Sequence, residues 1–179
     1  MKKISTRTII YTMIIVVVVL LLVDFYIWNR TRAFLIGDVK TELAKSMGYV
    51  KTQFDLESLQ RKDLVKLKQF VDLVKSTTGF RTTVIDKQGR VLADSEIPVE
   101  GLARVENHLR RQEVQLALRT GSGIATRISA TIHKKLIYYC ETLKMNGRVV
   151  GFLRFALFRP EFNQKMSAVL GMILRLNLI

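Results

Sequence analysis

The chain has 179 residues and a formal net charge of +14, with 29 Lys and Arg against 15 Asp and Glu, two histidines and one cysteine. That length holds one ordinary domain with a span or two and excludes a sensor and an enzyme side by side. The single Cys140 excludes an internal disulfide framework and, in the apolar run LIYYC, reads as a buried small hydrophobe. The basic residues are scattered over helix faces, turns and strands, which argues for attraction to membrane headgroups or a small anion and against nucleic acid.

In chain order, residues 1–8 form a short basic tail with Lys2, Lys3 and Arg7. Ile9 to Val23 follow, apolar except for Thr12, and as a helix they cover about 22 Å. Continuing to Trp28 reaches the roughly 30 Å of a hydrocarbon core and puts Tyr26 and Trp28 in the interfacial belt. No small-x-small site follows, so 9–28 is read as an uncleaved transmembrane helix. Arg30 and Arg32 follow the span as closely as the basic tail precedes it, so charge gives only a slight preference for a cytoplasmic N-terminus.

Beyond the span, Leu35, Val39, Leu43, Met47, Val50 and Phe54 recur at steps of three and four, predicting a helix over about 30–56. The stripe is narrow enough for a homodimer seam as well as for packing on a sheet. A second helix, about 59–77, starts near Ser58 or Asp63, carries Leu64, Leu67, Phe70, Val71 and Val74 on one face, and stops at Gly79. Arg81 to Ser95 then reads as a hairpin about Lys87-Gln88-Gly89. Glu96 to Arg111 is a polar loop, and Arg110 to Arg119 a short helix ending at Gly121-Ser122-Gly123, which lacks the lysine of a phosphate loop.

Alternation returns at Ile124 to Ile132 and Leu136 to Leu143, joined by a turn at His133-Lys134-Lys135. Asn146-Gly147 marks a type I′ turn into Val149 to Phe158, apolar enough to be the central strand of a sheet spanning about 81–158. Arg159-Pro160-Glu161 opens a last helix. Met166 to Ile179 would cover only about 21 Å, so residues 161–179 are read as the start of a second transmembrane helix, in the N-terminal part of a longer two-span protein.

The order and spacing of TTVIDKQGRVLADS, ENHLRRQEV, GSGIATRIS, LIYY and VVGFLRFALF resemble the extracytoplasmic sensor region of phosphate-regulon type sensor histidine kinases and their relatives with PAS-like, or Cache-like, domains. The family phrase T-x-I-D-x-x-G-x-V-L-x-D-S is matched at Thr83, Ile85, Asp86, Gly89, Val91, Leu92, Asp94 and Ser95. The phrase E-N-H-x-x-R-P-E is matched at Glu106, Asn107, His108, Arg111 and Glu113, with Gln112 where proline is common. The resemblance implies an α+β fold, a long N-terminal helix packed across one face of a PAS-like (Cache-like) antiparallel sheet of about five strands. It further implies a sensor domain over 29–160 outside the cytoplasm, an inner (plasma) membrane location, and a sensed face under the loop from Glu96 to Arg111.

Full-length relatives continue into a linker, a dimerisation helix bearing the phosphorylated histidine, and an ATP-binding domain. This chain has none of these: His133 is followed by Lys-Lys-Leu, and there is no glycine-rich ATP lid. The expectation is therefore the input domain of a two-component sensor kinase, with no catalytic residues, cofactor or metal of its own. The same module in a chemoreceptor or cyclic-nucleotide cyclase, or a stand-alone membrane-tethered interaction protein, is the alternative. Expected partners are the membrane, a second copy through helix 30–56, and an anionic small molecule or membrane partner protein.

For a ligand, Arg127 and Ser129 share one side of their strand, and Arg154 lies opposite Leu153 and Phe155. With Tyr138 they would line an anion pocket, the two guanidinium forks suiting carboxylate or phosphate. The competing reading makes Arg127 solvated, pairs Arg154 with Asp86 or Asp94, and leaves Tyr138 in the core. Asn107 and His108 read as loop or capping residues, since only His133 could join His108 at a metal.

Overall fold

The computed structural model describes residues 6–128 and 135–158, with Ala168 and Gly171. Ser129, the turn at His133 and nearly all of the expected second span therefore lie outside the described residues. The chain divides into two compact units, Met1–Val39 with Pro160–Ile179, and Lys40–Arg159. The first unit holds the apolar half of helix α1 (Thr6–Thr52), whose side chains from Ile9 to Ile27 are largely exposed and which is long and apolar enough to cross a membrane.

In the second unit the end of α1 is followed by two further helices, α2 (Leu56–Arg61) and α3 (Leu64–Thr78). Of the two starts read from the sequence, Asp63 caps α3 by accepting from the Lys66 N–H, while Ser58 belongs to the separate turn α2, capped by Asp55. Gly79 ends α3 as a left-handed cap, its N–H bonded to the Lys75 carbonyl. Val39, Leu43, Met47, Val50 and Phe54 are buried within the chain itself. Of the two uses read for the stripe, packing within the fold accounts for these five residues, and Tyr49 on the outer face is exposed.

Five antiparallel strands follow: β1 (Arg81–Asp86), β2 (Val91–Asp94), β3 (Ser122–Ile128), β4 (Lys135–Met145) and β5 (Arg148–Leu157). Their order in the sheet is β2-β1-β5-β4-β3, so β5, the most apolar strand, is central. Asn146 and Gly147 both take positive φ, 49° and 76°, in the β4–β5 turn. One face of the sheet carries Leu153 and Phe155. Phe155 packs on Phe80 with ring centroids 5.4 Å apart, and a Cβ at Gly151 would meet Leu59 of α2.

The other face carries Ile85, Cys140 and Phe152. They form one apolar cluster with Leu102, from a 3-10 turn over Val99–Arg104, and with Val114 and Ala117 of α4 (Gln112–Thr120). Helix α4 lies directly on β3, where a Cβ on Gly123 would run into the Glu113 carbonyl, Leu116 and the Ala117 nitrogen. Only glycine permits that approach. The fold is thus α+β, helices on one face of a five-stranded antiparallel sheet and, on the other, a layer made of the 3-10 turn, the loop after it and α4.

Candidate anion-binding site

On this second face, between the sheet and the loop, lies a cavity of about 290 Å³. Arg127, Tyr138 and Arg154, the three described residues of the proposed pocket, all line it, and so does His108. Three strands bring them together: Tyr138 pairs with Ala125 and Ala156, which sets it diagonally from Arg127 on β3 and Arg154 on β5. The Arg127 guanidinium stands 3.9 Å above the Tyr138 ring centroid and that of Arg154 5.2 Å away.

Arg154 is only 2% exposed. Burial pulls its pKa down, and the carboxylate of Glu113, itself fully buried in α4, opposes that pull. Arg154 Nη1 donates to Glu113 Oε1 at 3.4 Å and Nη2 to Thr83 Oγ1 at 3.1 Å. Thr83 in turn donates to Asp94 Oδ2 at 2.8 Å, and Asp94 is held by Arg81 Nε at 3.0 Å. Arg127 reaches the same Glu113 oxygen at 3.6 Å.

The competing pairing is therefore corrected. Asp94 pairs with Arg81 and touches Arg154 only through Thr83, while Asp86 caps its own turn and pairs with Arg90 at 2.9 Å. Glu113 is the direct partner that sequence reasoning missed. Its signal was its position, one turn before Ala117 on the face of α4 that also buries Val114.

His108 owes its position to the hairpin. Its N–H donates to the Gly89 carbonyl at 2.7 Å, and Asn107 Nδ2 donates to the Gln88 carbonyl at 2.8 Å while Asn107 Oδ1 accepts from the Leu109 N–H. Gly89, with φ +86°, would drive a Cβ into Asn107 and Leu109, so turn and loop interlock. The imidazole is pushed down to about 3, first by burial and then by Arg154 and Arg111. It is neutral at pH 7.

Five arginines line the cavity: Arg81, Arg104, Arg111, Arg127 and Arg154. Among the described residues, the carboxylates in contact with them are Asp94, Glu106 and Glu113, three against five arginines. The buried Nε atoms of Arg127 and Arg154, Nδ1 of His108 and the acceptor Oε2 of Glu113 have no partner among the described residues. The arginine donors suit a small oxyanion. A second cavity, about 420 Å³, lies between the start of α3, β2 and the 3-10 turn and is mostly apolar, with Leu64, Leu92 and Leu102 in its walls.

The helices and the five-stranded antiparallel sheet have the fold of PAS/Cache-like sensor domains. No family model matches the chain, and no curated protein does. Solved structures do match. The ligand-binding domain of the Campylobacter jejuni chemoreceptor Tlp3, in complex with 4-methylisoleucine, has a TM-score of 0.55 at 11% identity over 75% of this chain and 55% of its own. The sensor domain of the V. cholerae histidine kinase DctB has a TM-score of 0.53 at 14% identity over 73% of this chain and 58% of its own. The ligand-binding domain of Mlp24 with asparagine has 0.51 at 12% over 70% and 53%. The likeness is one of fold, and the chain spans a little over half the length of each.

Proposed function

We propose that this chain is the signal-sensing input part of a membrane-anchored receptor of the sensor histidine kinase type, held in the inner membrane by α1 with the sensor domain outside the cytoplasm, and that its cavity under the loop binds a small anion. The observation that carries the reading is the convergence of five arginines on one cavity of a sensor fold, with buried donors still unpartnered. The sensor neighbours serve both kinases and chemoreceptors. The kinase reading is preferred on the motif resemblance at Thr83 to Ser95 and Glu106 to Glu113, including its phosphate-regulon character. A homodimer formed along α1 would place the exposed Tyr49 at its seam instead of Leu43 and Met47.

Arg127 is the residue to perturb. It is partly exposed and its ion pair is long, so its loss leaves the fold standing, whereas Arg154 is fully enclosed. In the full chain reconstituted in nanodiscs, Arg127→Gln is expected to weaken oxalate or sulfate binding by roughly 10- to 100-fold, the worth of a charged hydrogen bond. Isothermal titration reads this directly. Equal affinity in the variant would remove the anion pocket. Joined in frame to the cytoplasmic part of a histidine kinase, the chain should make phosphorylation anion-dependent, and a flat response would remove the sensory role.

A further inference from the structure

One group in the cavity differs from the rest. His108 is neutral and stands among five guanidinium groups. Facing it are Arg81 from β1, Arg104 from the 3-10 turn, Glu106 and Arg111 from its own loop, Arg127 from β3, Tyr138 from β4 and Arg154 from β5. Behind Arg154 stand Glu113 of α4 and Asp94 of β2. The imidazole is buried, lines the cavity, and leaves Nδ1 without a partner. Its backbone is pinned to the β1–β2 turn, which fixes where the side chain enters the cavity.

An entering anion reverses both influences that keep the ring neutral. It offsets the positive charge of Arg154, Arg111 and Arg127, and it offers an acceptor to Nδ1 in place of the lost solvation. Protonation then becomes favourable at the one site that can accept it. We infer that His108 contacts the bound anion and takes up one proton at Nδ1 as the anion enters, so that the receptor reads the anion and acidity together. The step is a simple association: solvent supplies the proton, imidazole becomes imidazolium, and the anion keeps its charge. This rests on the anion reading of the cavity and adds a proton to it.

The sign follows from linkage. The free protein holds the ring unprotonated down to about pH 3. Between that value and the raised pKa in the complex, each unit by which pH falls tightens binding about tenfold, and above the raised pKa the dependence vanishes.

The test is titration calorimetry on the full chain in nanodiscs with oxalate and with sulfate, whose charges stay constant from about pH 5.5 to about 7.5, in pairs of buffers of unlike protonation enthalpy. The expected result is affinity that rises as pH falls and an uptake approaching one proton per anion. His108→Gln, which keeps donors but cannot become charged, should bind with a flat pH profile. Binding without proton uptake overturns the inference, leaves the anion pocket intact, and assigns Nδ1 as a neutral donor. Uptake that persists in His108→Gln overturns the role of His108. No binding of either anion at any pH overturns the pocket itself. The proton count comes from the unaltered chain, so it decides the matter even if the variant melts early.

Discussion

Replacing Glu113 with glutamine isolates what holds Arg154 in place. The two side chains are fully buried, at 0% and 2% exposure, and Glu113 is the carboxylate that Arg154 touches directly. Removing one partner of such a pair costs about 3–5 kcal/mol, because a charge is left in a place that water does not reach. Here the lower end applies. The contact is 3.4 Å, longer than the usual charged hydrogen bond, and Thr83 still accepts from Arg154 at 3.1 Å. A loss of about 3 kcal/mol corresponds to a fall in Tm of roughly 10 °C for a unit of this size. Thermal melting of the reconstituted chain, followed by circular dichroism at neutral pH, measures it. Oxalate should restore part of the loss, since the variant leaves Arg127 and Arg154 with less compensation. A Tm within about 2 °C of the unaltered chain would mean that Arg154 is compensated from the cavity side and that Glu113 does not hold it.

Two further substitutions probe the frame around the site. Gly89→Ala places a methyl group against Asn107 and Leu109 at a φ of +86°, so it should cost about 2 kcal/mol and, by displacing the loop, weaken anion binding in calorimetry. Unchanged affinity would show that the hairpin does not position His108. Lys51→Met removes the bonds from Lys51 Nζ to Glu141 Oε2 at 2.9 Å and to the Thr142 carbonyl at 3.1 Å. The pair is partly exposed, so stability should fall by no more than about 1 kcal/mol and anion affinity should hold, while anion-dependent output of a kinase fusion is lost. Full output from this variant would remove Lys51 from the signalling route.

What was legible in the sequence was what local chemistry decides. Asn146-Gly147 announces its turn because both residues tolerate positive φ, and the apolar run of β5, broken only by Arg154 between Val149 and Leu157, announces a strand covered on both sides. Partner choice was not legible. Asp86 and Asp94 have arginines on their own hairpin, Arg90 four residues on and Arg81 across the pair, and those near partners take them before any later strand can. Glu113 escaped because glutamate in a short helix is usually solvated, and only the docking of α4 onto Gly123 buries it. The stripe on α1 is ambiguous for the same reason: its spacing states that a face is covered without stating by what.

The proposed route from cavity to helix runs through the pleat of β4. Tyr138 faces the cavity, and its neighbour Tyr139 faces the other side, where Tyr139 Oη donates to Glu141 Oε1 at 2.7 Å and Lys51 holds the other oxygen of the same carboxylate. Successive residues of one strand cannot move independently. Under the proposed reading, an anion that draws Arg127 and Arg154 together across the Tyr138 ring would bear on Glu141, three residues on from Tyr138, and through it on the last turn of α1. The shift can be no larger than the difference in the anion's affinity for the two arrangements, so a pocket that binds both equally would signal nothing however tightly it bound. This makes the Lys51 variant the decisive one of the set, because it leaves the pocket's chemistry untouched and cuts only the link by which binding would be felt outside it.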